Sequence, residues 1–311
     1  MTDPDAPAQG RLTTMTYEVT GRIARITLDR PERGNGITFD LPVELARCVE
    51  RANLDPAVHV IALSGRGKGF CGGYDLVVSA EGKDDPAAGA APPGSPLDPA
   101  VVAANHDPAA IWDPMVDHAM MARNVRGFMS LFHGDKPVVC KVHGFCVAGG
   151  TDMALCSDLL VIEDRAKIGY PPARVWGIPT TALWVHRIGL EKAKRLLFTG
   201  DCLSGREAVE WGLAIECAPA AELDQRFEAL LERIARVPVN QLVMSKLLLN
   251  QTVYAQGLHT TQTLGVVFDG IARHTREGYE FAARAREAGF KQAVRERDEP
   301  FGDLGPSTNK G

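Results

Sequence analysis

The segment His143-Gly144-Phe145-Cys146-Val147-Ala148-Gly149-Gly150-Thr151-Asp152 reads as a strand running directly into a helix. Pro137 to Val142 before it is a short apolar run of strand length, and Met153, Ala154, Leu155 and Cys156 after it continue a helix begun at Gly149 and Gly150. A glycine pair there permits a tight turn and lets a ligand approach backbone N–H groups. A second such element, Phe70-Cys71-Gly72-Gly73-Tyr74-Asp75-Leu76, follows another apolar run at Val58 to Leu63. Either loop alone is explained as a tight turn. Together they offer two N–H groups, one at a helix start, able to face one point and hold a negative oxygen. Asp152, three residues beyond Gly149, adds a carboxylate beside that point.

Outward from these loops the chain alternates strands and helices. Tyr17 and Val19, then Ile26 and Leu28, alternate with polar residues around Gly21-Arg22, which predicts a hairpin. Pro31 to Gly36 is a loop. Thr38 is placed to cap a helix whose Leu41, Leu45, Cys48, Val49 and Ala52 recur at helical spacing. Met115 to Phe132 predicts a helix, and Asp158 to Glu163 and Leu213 to Cys217 contain further strands. Ser204-Gly205-Arg206-Glu207 is a capping box. Helices then follow one another at 222–236, 240–256, 260–274, 276–288 and 290–297. Strands with helices first and helices only afterwards predict an α/β core of about 200 residues with a helical C-terminal extension.

Between Asp84 and Ala109, 26 residues hold 8 Ala, 6 Pro and 2 Gly. That composition predicts a mobile insertion without helix or sheet. Residues 1–13 read as a disordered lead, with no apolar signal-peptide region.

The 311 residues are 45% hydrophobic and 23% charged, an ordinary globular balance. The net charge of −5 and the lack of a lysine-rich helix argue against a nucleic-acid partner. No apolar run approaches the roughly 20 residues of a membrane span. The 7 cysteines lie singly in apolar stretches, as reduced thiols of a cytoplasmic protein do. Gly65-Arg66-Gly67-Lys68-Gly69 lacks the spacing of a phosphate loop, there is no G-x-S-x-G elbow, and neither H-E-x-x-H nor C-x-x-C occurs, so no metal is expected.

Five stretches carry a resemblance when taken together: Leu28 to Asn35, Gly69 to Leu76, Lys136 to Val139, His143 to Asp158, and Leu197 to Asp201 with the Ser204-to-Gly212 helix. The sequence resembles the crotonase, or enoyl-CoA hydratase/isomerase, superfamily from about Thr16 to the C-terminus. The resemblance implies a crotonase-like spiral of β-β-α units over 14–219, and a helical region over 220–311 that makes a homotrimer or homohexamer. It implies an acyl-CoA thioester substrate and no cofactor beyond that coenzyme A. The thioester oxygen would be held by the backbone N–H groups of Tyr74 and Gly149. Asp152 falls on the first of two glutamates that hydratases of the family commonly carry, and is expected to be the single acid/base; the second position is Pro172, which transfers no proton. Arg33, Gly72, Gly73, Asp75 and Leu76 fall where the family places coenzyme A. Tyr170 is a candidate proton donor or substrate contact, and Arg174 a partner of Asp152 or a surface residue. Trp112, Met115, Met120, Met121 and Phe128 are candidates for the acyl pocket. Hydration of an enoyl-CoA is the leading expectation. The alternatives are double-bond isomerisation, C–C hydrolysis or decarboxylation of an acyl-CoA, and a non-catalytic acyl-CoA binder.

Overall fold

A computed structural model of the chain describes residues 12–81 and 91–302. β1 (Met15–Thr20) and β2 (Ile23–Leu28) form the expected hairpin, with Gly21 turning at φ +60°. α1 (Leu41–Leu54), β3 (Val60–Gly65), α2 (Leu76–Ser79), α3 (Pro99–Asn105) and α4 (Pro114–His133) follow. Next come β4 (Val138–Val142), β5 (Phe145–Val147), α5 (Gly149–Leu155), β6 (Leu159–Glu163) and β7 (Lys167–Gly169). α6 (Trp184–Ile188), α7 (Leu190–Thr199), β8 (Cys202–Ser204), α8 (Gly205–Trp211) and β9 (Glu216–Ala218) complete the α/β part. The remainder is helical: α9 (Ala220–Ala235), α10 (Val239–Ala255), α11 (Leu258–Arg273), α12 (Arg276–Ala288) and α13 (Phe290–Asp298).

The large sheet has the order β1-β2-β3-β4-β6-β9, parallel from β2 onward, and a small sheet has the order β5-β7-β8. The chain visits the two in turn: β4 then β5 then α5, and β6 then β7 then a short 3-10 turn at Pro171–Arg174. Each circuit adds one strand to the edge of the large sheet. Strand side chains alternate between faces, so the continuous apolar runs serve two cores. Ile61, Leu63, Val138, Cys140, Leu160 and Ile162 face α1 and α4. Val60, Ala62, Val139 and Val161 face Leu223, Phe227 and Leu231 of α9 on the other side. Gly127 lets α4 press on α1, because a Cβ there would overlap Pro42.

Three expectations change. Thr38 does not cap α1; the residue before the helix is Asp40, and the Thr38 hydroxyl is buried without a hydrogen bond. The Pro/Ala-rich insertion contains a helix after all. Asp98 caps α3 by accepting from Ala100 N–H at 2.9 Å, and Pro99 occupies the first turn, where a missing N–H costs nothing. Asn105 at its end is buried and donates to Asp117 at 3.0 Å, so this part packs on the domain; residues 84–90 lie outside the described ones. Of the expected lead, residues 1–11 also lie outside them, but Thr13 is anchored: its N–H and that of Thr14 donate to Glu44 at 2.8 and 2.9 Å. Among the described residues no helix is long and apolar enough to cross a membrane.

Candidate active site

The two glycine loops meet. Cys71 forms a parallel bridge with Cys146, and Val147 N–H donates to Cys71 O at 3.1 Å. A second bridge joins Ile37 to Tyr74 through Ile37 N–H to Gly73 O at 2.8 Å and Asp75 N–H to Ile37 O at 3.1 Å. In a parallel bridge of that register the Tyr74 N–H points away from Ile37. Ala148, just before α5, sits at φ +56°, an uncommon backbone for a residue with a Cβ, and this turns the helix start toward Tyr74. Gly73, at φ +94°, has no side chain where one would lie 2.7 Å from Ala148 Cβ and 3.4 Å from Gly149 N. A Cβ on Gly149 would lie 2.8 Å from the Tyr74 ring and from Ile37 Cδ1. Among the described residues neither the Tyr74 nor the Gly149 N–H donates to a backbone carbonyl.

Asp152 lies one turn into α5 and is fully buried. Among the described residues its carboxylate accepts only from neutral donors. Thr181 gives its hydroxyl at 2.9 Å and its N–H at 3.3 Å to Oδ1; Thr180 gives its hydroxyl at 3.3 Å and its N–H at 3.4 Å to Oδ2. No cation among the described residues is paired with it. Burial therefore outweighs the hydrogen bonds and pushes the carboxyl up to about 7, with the like charge of Asp269 adding to the rise.

Tyr170 is also buried, and its hydroxyl donates to Ile178 O at 2.9 Å. The Tyr74 hydroxyl is buried without a hydrogen bond of normal geometry, although Asn124 lies beside it. Burial, then the charges of Asp152 and Asp269, hold both phenols well above the ordinary tyrosine range.

Arg33 and Asp75 come together in a bidentate pair at 2.8 and 3.0 Å, with Arg30 3.6 Å from the same carboxylate. Asp75 also caps α2 by accepting from Val77 N–H at 3.1 Å, so it positions both the arginine and the helix that begins at Leu76. Gly72 is exposed beside them. Arg174 turns elsewhere: it donates to Thr199 O at 2.8 Å and pairs with Asp298 at 2.9 Å. Of the pocket candidates, Met121 and Phe128 are core, Met115 is exposed, and Trp112 donates to Asp117 at 2.8 Å.

Sequence reasoning missed Thr180, Thr181 and Asp269. The threonines sit in an ordinary-looking loop. Asp269 carried a signal, an acid inside the apolar run from Leu264 to Ile271. α11 packs on the threonine loop at Gly265, where a Cβ would stand 3.0 Å from Pro179 O, and its Gln262 donates to Thr181 O at 3.0 Å.

The sequence profile of the enoyl-CoA hydratase/isomerase family matches residues 18–105 and 113–292. The chain belongs to that family. The crystal structure of an enoyl-CoA hydratase from Mycobacterium smegmatis matches with a TM-score of 0.89 and 56% identity, over 97% of this chain and 98% of that one. The (E)-benzylidenesuccinyl-CoA hydratase of Thauera aromatica is 25% identical over 287 residues, 90% of this chain and 99% of its own. A carnitinyl-CoA dehydratase of Proteus mirabilis is 27% identical over 219 residues, 69% of this chain and 72% of its own. The alternation of large-sheet strand, small-sheet strand and helix is the crotonase spiral, and the two glycine loops of this enoyl-CoA hydratase/isomerase family member lie where successive circuits meet.

Proposed function

We propose that the protein binds an acyl-CoA thioester and stabilises its enolate, with hydration of a 2-enoyl-CoA as the reaction. The carrying observation is the conjunction of two N–H groups without a backbone acceptor among the described residues, on Tyr74 and Gly149, with the buried carboxylate of Asp152. Donors fixed in advance stabilise charge that develops on the thioester oxygen. A carboxyl group shifted to about 7 gives and takes protons readily near neutrality. Arg33, held by Asp75 yet partly exposed, offers a guanidinium edge to the phosphates of coenzyme A, with Gly72, Gly73 and Leu76 lining its path. The hydratase and dehydratase names of the relatives support water addition over isomerisation. No further cofactor enters this scheme.

The test is solvent exchange. Incubated with acyl-CoA thioesters in deuterated water, the protein exchanges α-protons of the bound acyl group, and it adds water to a 2-enoyl-CoA. Conversion of a 3-enoyl-CoA to its 2-isomer without hydration would make it an isomerase instead. Absence of both exchange and turnover, with binding retained, would reduce it to an acyl-CoA binder.

We further propose a trimer or a dimer of trimers. α10 and α11 leave Met244, Leu248, Leu249, Leu264 and Phe268 exposed in the single chain, more apolar surface than one helical layer leaves in water. Light scattering at micromolar concentration should report three or six copies; a monomer refutes it.

A further inference from the structure

Hydration moves two protons, one off water and one onto the α-carbon, and a single carboxyl group must serve both unless the fold supplies another. The geometry points to Asp269 on α11 as the second proton-transfer group of the site; this rests on the acyl-CoA reading above. Asp269 is buried and its Oδ1 accepts from Ile178 N–H at 3.2 Å. Ile178 is also the residue whose carbonyl holds the Tyr170 hydroxyl, so Asp269 and Tyr170 are anchored on one peptide segment. Two residues further along that segment begin the threonines that hold Asp152.

Gly177 shows where these groups converge. A Cβ there would stand 3.0 Å from Pro172 Cβ, 3.5 Å from Asp269 Oδ1 and 3.6 Å from the Tyr170 hydroxyl. The missing side chain lets these three groups approach one point, where Asp269 brings a carboxylate and Pro172 has no proton to give. The Tyr74 hydroxyl, buried and without a normal hydrogen bond, lies within reach of the charges of both carboxylates.

The two acids are not equivalent. Burial holds the Asp269 carboxyl above the ordinary aspartate range, but Arg273, 3.2 Å from it and 3.1 Å from Asp117 of α4, opposes that rise, as does the Ile178 N–H, while the Asp117 charge adds to it. Asp152 has no such cation among the described residues, and its burial is met only by neutral donors. That difference assigns the roles. The Asp269 carboxylate takes a proton from water as the water oxygen bonds to Cβ of the enoyl group. The Cα–Cβ π pair moves into the thioester, forming an enolate whose oxygen is held by Tyr74 and Gly149 N–H. Cα then takes the proton of the Asp152 carboxyl group. One water has been added, and the proton now on Asp269 returns to Asp152 through solvent as product leaves.

The experiment compares wild type, Asp152→Asn, Asp269→Asn and Arg273→Gln in two assays. One is hydration of crotonyl-CoA. The other is α-proton exchange of butyryl-CoA, a saturated thioester with no water to add. Asp269→Asn is expected to lower hydration by roughly 100-fold or more, the scale of a lost acid/base, while α-exchange stays within a few-fold. Asp152→Asn abolishes the exchange. Full hydration in Asp269→Asn overturns the inference, as does equal loss of hydration and exchange in a folded variant. If Asp269→Asn does not fold, Arg273→Gln decides. Loss of the cation raises the acid limb of the hydration pH profile and leaves that of exchange in place, and an unmoved profile sinks the idea. A wild-type protein that neither hydrates nor exchanges overturns the acyl-CoA reading itself, a result distinct from any failure confined to the Asp269 and Arg273 variants.

Discussion

Thr181 meets Asp152 twice, through its hydroxyl at 2.9 Å and its N–H at 3.3 Å, and both bonds favour the ionised carboxylate. They work against burial, which favours the protonated acid. Thr181→Val removes the shorter bond at nearly constant volume. The pH midpoint of Asp152-dependent exchange should then rise, by about one unit. A midpoint that stays in place would show that the hydroxyl is spectator to the ionisation.

The same shift makes stability depend on pH. An unfolded aspartate titrates near 3.8 and the folded Asp152 at about 7, so the native state holds a proton that the unfolded chain has lost. Stability from this group is complete below 3.8 and disappears as pH rises through 7. The swing is on the order of 4 kcal/mol if burial persists unchanged. Asp152→Asn, which never ionises, should be more stable than wild type above pH 8 in urea titrations, while turnover falls by roughly 100-fold. Parallel stability curves for the two proteins between pH 5 and 9 would contradict the assignment.

Gly149 tests the backbone donors without touching a charge. In Gly149→Ala the new Cβ meets the Tyr74 ring and Ile37 at 2.8 Å, so one of the loops must shift. Turnover should drop by about 100-fold or more, as when one oxyanion donor is lost. Ile37 Cδ1 can swing aside but the packed Tyr74 ring cannot, so the melting temperature should also fall, while the protein stays folded. Unaltered turnover would separate this loop from the chemistry.

Arg33→Ala should raise KM for acyl-CoA by about 10-fold and leave kcat alone, the signature of uniform binding. The effect should vanish with an acyl-pantetheine substrate, which lacks the nucleotide phosphates. A KM defect of equal size on both substrates would place Arg33 away from those phosphates.

How far the sequence foretold this molecule depends on how local each signal is. β3, β4 and β6 show as apolar runs because both their faces are covered, and the Ser204–Glu207 capping box is present as read. β5 lies within the strand read from His143 into the helix at Gly149, whereas β7 and β8 show no pattern, since three residues each are too few to display a period. α3 was hidden because prolines were counted without regard to position, and Pro99 sits where helices accept one. In the site, Gly149 and Asp152 are neighbours in sequence and were visible together. Thr180, Thr181 and Asp269 join them only when α11 packs on the loop before α6, and no local pattern encodes that contact.

The Tyr74 and Gly149 N–H groups lie between bonded neighbours but, among the described residues, give their own hydrogens to no backbone carbonyl. Protection against amide hydrogen exchange ordinarily tracks hydrogen bonding and burial together. Here the two part company: in the free protein these amides should exchange far faster than those of Ile37, Asp75 and Val147, which flank them and are bonded. An acyl-CoA thioester should slow those two amides selectively. The corresponding thioether, which lacks the carbonyl, should leave them fast even when it fills the same groove, making a pair of backbone hydrogens a reporter of where the acyl oxygen rests.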